Sequence, residues 1–173
     1  MKFYGSRLTD SSGKYSFFPA LPCAREFLSR GADPNASGPS KKSLLQCALI
    51  SGYEEKAELL ISYGAKIEPN LLWSTVGSRK RHGERMTRFL LEKGVDPNQA
   101  LSEEWGRPLH LAAAVADVKL VELLLGAGAE RGAVSTGWRV EGMTAEEVVV
   151  ERISWCEDAE NEEWKAVLRL LRS

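Results

Sequence analysis

Four times along this chain a pair of large apolar residues is followed, after two further residues, by glycine and then by alanine or valine. The instances are Phe27-Leu28…Gly31-Ala32, Leu60-Ile61…Gly64-Ala65, Leu90-Leu91…Gly94-Val95 and Leu124-Leu125…Gly128-Ala129. The glycines fall at nearly even intervals, and two of the four are followed by the same Asp-Pro-Asn, at 33–35 and 96–98. A period of about 33 residues predicts an array of small helical units, none of which can bury its own apolar face, so each must stack on its neighbours. The 173 residues leave room for about four to five such units.

The clearest unit runs from Arg107 to Gly128. Pro108 suits the first position of a helix, where its missing N–H is not needed. Leu109, Ala112 and Ala113 recur at i, i+3 and i+4, which builds one apolar face. Asp117 opens a second helix with Leu120, Leu123 and Leu124 inward, and Gly128 ends it. The unit between Ser43 and Gly64 repeats this register: Leu44-Leu45-Gln46-Cys47-Ala48, Gly52 at the inter-helix turn, then Leu59-Leu60-Ile61. The two units are equal in length from opening residue to closing glycine. Arg107-Pro108-Leu109-His110-Leu111-Ala112 resembles the T-P-L-H-x-A signature of the ankyrin repeat, with arginine in place of threonine. The resemblance covers roughly residues 17 to 172. It implies an all-α solenoid of about four to five stacked helix–turn–helix units with finger loops, whose first and last repeats are degenerate. In that family the first helices line a concave face, the second helices form the outer layer and the loops project as fingers.

On this register residues 1–16 are an irregular N-terminal segment. The repeats occupy 17–173, as units of approximately 17–40, 41–68, 69–101, 102–139 and 140–173. The first unit supplies one helix, Pro22 to Arg30, since prolines at 19 and 22 forbid a regular helix before it. The third is shortened and places helices at Asn70 to Val76 and Arg85 to Glu92, joined by the long turn 77–83. In the last, Glu146 to about Cys156 is followed by an acidic connector and by Glu162 to Arg172, which carries Trp164, Val167, Leu168 and Leu171 on one face. Trp155 is placed in the core with Trp164. The incomplete first unit also fits a piece of a larger repeat protein.

Composition excludes several function classes. A net charge of −1 gives no global attraction to nucleic acid or anionic membrane. No apolar run approaches the length of a membrane span, and the N-terminus lacks the apolar core of a signal peptide. Cytoplasm or nucleus is the expected location. The three cysteines, Cys23, Cys47 and Cys156, are too dispersed for a disulfide framework or zinc site. No cofactor, metal or small-molecule substrate is expected, and a monomer is. Phosphate-cradling, zinc-protease and nucleophile-elbow motifs are all missing. His110 falls in the motif histidine slot, which is structural, and His82 lies in a basic turn. The chain is therefore read as no enzyme.

Recognition of another protein or peptide remains. Trp105 and Trp138 both fall in fingers, beside Glu103, Glu104 and Arg139, and the finger after Gly128 is four residues longer than the one after Gly31. Loop tryptophans and arginines are common binding hot spots; equally, each ring can pack on the adjacent finger. The family pattern places Ile50, Ser51, Ala114 and Val115 on the concave face. Partner contact is accordingly expected at Ile50, Ser51, Glu103, Glu104, Trp105, Val115, Trp138 and Arg139, with both tryptophans dispensable for folding. The alternative is a nuclear regulator that uses the basic turn 79–88 (Arg79, Lys80, Arg81, Arg85, Arg88) on chromatin or nucleic acid. The plainer reading of that turn is a solvated inter-helix connection.

Overall fold

The computed structural model of the chain describes residues 8–9, 15–16, 20–37, 41–77, 82–99, 102–155 and 162–173. It contains two compact units, Met1–Lys66 and Ile67–Ser173.

In the first unit Leu8–Thr9 (β1) pairs antiparallel with Tyr15–Ser16 (β2), so the segment expected to be irregular contains a short two-stranded ladder. Helix α1, Leu21–Ser29, starts with Pro22 in its first turn. Helix α2, Leu44–Ile50, is opened by the Ser43 hydroxyl, which accepts from the Gln46 N–H at 3.1 Å and satisfies one of the orphan donors of the helix start. Helix α3, Glu54–Ser62, carries Glu54 and Glu55 against the positive end of its dipole. It packs on both α2 and α1. Leu28, Leu45, Ala48, Leu49, Ala57 and Leu60 form the buried interior.

The second unit holds three helix pairs: α4 (Leu71–Val76) with α5 (Gly83–Glu92), α6 (Pro108–Ala114) with α7 (Val118–Gly126), and α8 (Ala145–Trp155) with α9 (Glu162–Arg172). First helices stack on first helices, α4 on α6 on α8, and second on second, α5 on α7 on α9. This is the two-layer, nearest-neighbour arrangement of a repeat solenoid. Ala112 and Ala113 are fully buried where α6 meets its neighbours. The inner face of α7 is Leu120, Val121 and Leu124; Leu123, expected there, is half-buried. On α9 Val167 and Leu171 are buried, with Trp164 half-buried beside them. Trp155 is not core: it is 81% exposed. Helix α8 is longer than α6 by about a turn, and Trp155 is its last residue. Thr87 and Thr75 bridge α5 to α4 inside the core, Thr87 Oγ1 donating to Thr75 Oγ1 at 2.9 Å and Thr75 Oγ1 to the Leu72 carbonyl at 2.9 Å. No helix among the described residues is long and apolar enough to cross a membrane.

The recurring glycines all do one job. Gly31, Gly64, Gly94 and Gly128 have φ of 87°, 92°, 86° and 90°, a region that costs any residue with a Cβ about 1–2 kcal/mol. The left-handed turn lets two N–H groups fold back onto the last carbonyls. Gly128 N–H donates to Leu125 O at 3.0 Å and Ala129 N–H to Leu124 O at 2.9 Å, and the same two bonds close the helices at Gly31, Gly64 and Gly94. The residue after the glycine then tucks in, fully at Ala65 and Ala129 and partly at Ala32 and Val95. The turn between first and second helices closes the same way at Gly52 (φ 73°), but at Ala116 (φ 54°) an alanine holds the left-handed position.

The Asp-Pro-Asn triplets latch each finger to the next. In both, the aspartate Oδ1 accepts from the asparagine N–H at 2.8 Å, which fixes the turn. The asparagine amide then pairs with backbone one repeat further on. Asn35 donates to Gly64 O and accepts from Lys66 N–H; Asn98 donates to Gly128 O and accepts from Glu130 N–H. After Gly64 the corresponding residues are Lys66-Ile67-Glu68, without the triplet, and the boundary between the two compact units falls there.

Candidate functional site

Two fingers of the second unit dock on each other. The first is a tight hairpin in which Ser102 and Gly106 exchange both backbone hydrogen bonds, at 2.8 and 2.9 Å. The second closes where Ser135 N–H donates to Met143 O at 2.8 Å and Gly142 N–H to Ser135 O at 3.0 Å. Its extra residues fold against the first finger: Trp138 N–H donates to Glu103 O at 2.9 Å and Arg139 N–H to Glu104 O at 3.0 Å. The Ser135 hydroxyl donates to Trp105 O at 3.2 Å. Gly137 sits so close that a Cβ there would lie 2.6 Å from Trp105 N, so only glycine permits this backbone-on-backbone contact. The lengthened finger is therefore a brace.

Side chains continue the pairing. The Arg139 guanidinium binds the Glu104 carboxylate and lies 4.7 Å from the Trp138 ring centre and 5.5 Å from that of Trp105. Arg152 of α8 lies over Trp105 at 5.4 Å. These are favourable cation–π distances. The two tryptophans part company here. Trp105 is half-buried and packs on the cluster of Ala114, Val140 and Val148. Trp138 is 65% exposed. Trp105 is thus part of the packed interior of the finger pair, whereas most of the Trp138 ring lies in solvent.

Of the other expected contact residues, Glu103 and Arg139 are exposed and Glu104 is half-buried. Val115 is 41% exposed, at the end of α6. Ala114, expected to face the groove, is instead buried under Val140 and Val148. Ile50 is half-buried and Ser51 exposed at the end of α2; they belong to the first unit, and the six others to the second. Arg79, Lys80 and Arg81 lie outside the described residues, as do Cys156 and most of the acidic connector. Arg88 is paired with Glu84 at 3.2 Å.

His110 is 1% exposed, and its Nε2 lies 3.1 Å from Ala133 O and 3.2 Å from Met143 O, so it pins both ends of the second finger. Burial holds its pKa below the usual imidazole value, which keeps the ring neutral at pH 7. The ring is structural, as its motif position implies. Arg107 fills the threonine position of the motif, and its Nη1 reaches Glu130 Oε2 at 2.7 Å and Asn98 Oδ1 at 3.3 Å, which strengthens the Asn98 latch. Sequence reasoning misses that role; its only signal is the charge pair Arg107/Glu130 placed across the repeat. Cys47 is half-buried, and burial raises its thiol pKa. No group of three or more potential metal ligands occurs among the described residues.

A family model for the ankyrin repeat matches residues 107–135. A protein of fowlpox virus (strain NVSL), named as a "putative ankyrin repeat protein", is 32% identical over 105 residues. That alignment covers 57% of this chain and 23% of the viral protein, so the chain spans about a quarter of its relative's length. The segment matched by the family model contains the helix pair α6–α7 and the start of the finger that His110 pins, and the glycine register extends the same unit along the chain. Residues 107–135 thus carry an ankyrin repeat, and the chain is similar to an ankyrin-repeat protein.

Proposed function

We propose that the chain is a non-catalytic interaction scaffold that binds a partner protein or peptide through its fingers and the concave ends of its first helices. Trp138 carries this reading. An indole 65% exposed at the tip of a finger braced by four backbone hydrogen bonds is a preorganised anchor: little ordering entropy remains to be lost on binding. Arg139, stacked on the ring and paired with Glu104, holds it in place. Glu103 and Val115 extend the same surface, and in the first unit Ile50 and Ser51 are the corresponding contact residues. Ankyrin repeats generally serve protein–protein interaction, and the chain's motifs contain no catalytic constellation. Cytoplasm or nucleus is the compartment we assign.

Quantitative affinity capture from cells, comparing wild type with Trp138→Ala, tests the proposal. Loss of a reproducible set of partners from the variant, with an unchanged melting temperature, supports it. An identical partner set overturns the role of Trp138. A truncated anchor tryptophan costs about 2 kcal/mol or more of binding, roughly 30-fold in affinity, which such a comparison resolves.

A further inference from the structure

Beneath the finger 102–106, between α4 and α6, the second unit forms a half-open cleft of about 380 Å³. Its walls include the indoles of Trp73 and Trp105 with Leu111 and Val115, and its charged lining consists of Glu104 and Asp117. No lysine or arginine lines it among the described residues. The two carboxylates differ. Glu104 shares its charge with Arg139. Asp117 Oδ1 accepts from Leu120 N–H at 3.1 Å as the cap of α7, but no cation is paired with it among the described residues. The Trp73 indole N–H is buried and meets no acceptor.

An occupant has to answer both the aromatic walls and the Asp117 carboxylate. An apolar side chain would seal the Asp117 carboxylate away from water without a counter-charge, which is costly. An acidic one would be repelled. A long aliphatic stem ending in a cation fits: the stem lies along the indoles and the charge reaches the carboxylates. We infer that this cleft seats a lysine or arginine side chain of an extended partner segment, with Asp117 as its principal counter-charge. The inference rests on the scaffold reading above and narrows the partner to a peptide with a basic residue between apolar neighbours.

Selection of a random linear peptide library against the full chain, followed by fluorescence anisotropy with the best peptide, tests it. The expected winners share one lysine or arginine flanked by apolar residues. Replacing that residue by norleucine in the peptide, or Asp117→Asn in the protein, should each weaken binding at least ten-fold. The two changes together should cost little more than either alone. Asparagine caps a helix as well as aspartate, so Asp117→Asn retains the fold, and its melting temperature verifies this. Winners without a basic residue, or bound equally by Asp117→Asn, overturn the cleft assignment; if they still depend on Trp138, the scaffold reading survives. A library that yields no specific binder overturns both.

Discussion

Asn98 reaches across a whole repeat to Gly128: its Nδ2 donates to the Gly128 carbonyl at 3.0 Å, while its Oδ1 accepts from Glu130 N–H at 3.0 Å. A carboxamide is the side chain that offers a donor and an acceptor side by side, so it pairs with an extended backbone as a neighbouring strand would. Asn98→Ala removes both bonds, and Arg107 loses one of its acceptors as well. Each such hydrogen bond contributes about 0.5–1.5 kcal/mol, so we expect a loss of about 1–2 kcal/mol in urea unfolding. Asn98→Asp keeps the acceptor and loses the donor, and should fall between. Asn35→Ala, with the same geometry toward Gly64 and Lys66, should cost a similar amount, less any contribution from Arg107.

That latch also marks how far the sequence can be read. The period, the glycine stops and the motif around His110 are local, since each depends on backbone geometry within a few residues, and they place helices close to those observed. The reason for Asp-Pro-Asn lies a whole repeat away and is not legible. The same holds for the finger pair: the length of the loop after Gly128 is visible, but its docking on Ser102–Gly106 depends on Gly137 meeting Trp105 backbone. Trp155 and Ala114 depart from expectation for a related reason. Periodicity says which face a residue occupies, not whether a neighbouring repeat extends far enough to cover it.

The Thr75–Thr87 pair predicts an asymmetry. Thr87 donates to Thr75, and Thr75 donates to the Leu72 carbonyl. Thr87→Val leaves every buried donor of the pair satisfied and should change stability by less than about 1 kcal/mol. Thr75→Val strands the Thr87 hydroxyl, 0% exposed, without its acceptor, at a cost of about 1–3 kcal/mol. Equal effects in chemical denaturation would show that the hydroxyl direction is not as drawn.

His110 makes stability depend on pH. Its folded pKa lies below the ordinary value, with burial the main cause. Between that folded value and about 6.5 the unfolded chain binds the proton that the folded chain refuses. Stability from this group is therefore complete above about pH 6.5 and is lost as pH falls below it, with a slope of at most about 1.4 kcal/mol per unit for one proton. His110→Gln should flatten the dependence between about pH 7.5 and 5.5, although it lowers stability at the upper end by loosening the contacts to Ala133 and Met143. Parallel slopes in thermal melts of the two proteins would assign the dependence to other groups.

Gly137 is the position on which the finger pair turns. A Cβ added there meets backbone atoms of Trp105 and Gly106, which cannot rotate away as a side chain can. Gly137→Ala must separate the fingers and break the bonds from Trp138 and Arg139 to Glu103 and Glu104. Overpacking of this kind costs about 1–3 kcal/mol, and the Arg139–Glu104 pair and the Trp105 packing should loosen with it. Gly132→Ala, where a Cβ meets nothing within 4 Å, should stay within about 0.5 kcal/mol of wild type. Trp138→Ala, with most of its ring in solvent, should do the same. If Gly137→Ala melts like Gly132→Ala yet loses partner binding as Trp138→Ala does, the brace positions the anchor without stabilising the fold. If it loses stability and binding together, the brace does both, and the long finger after Gly128 has a structural as well as a recognition role.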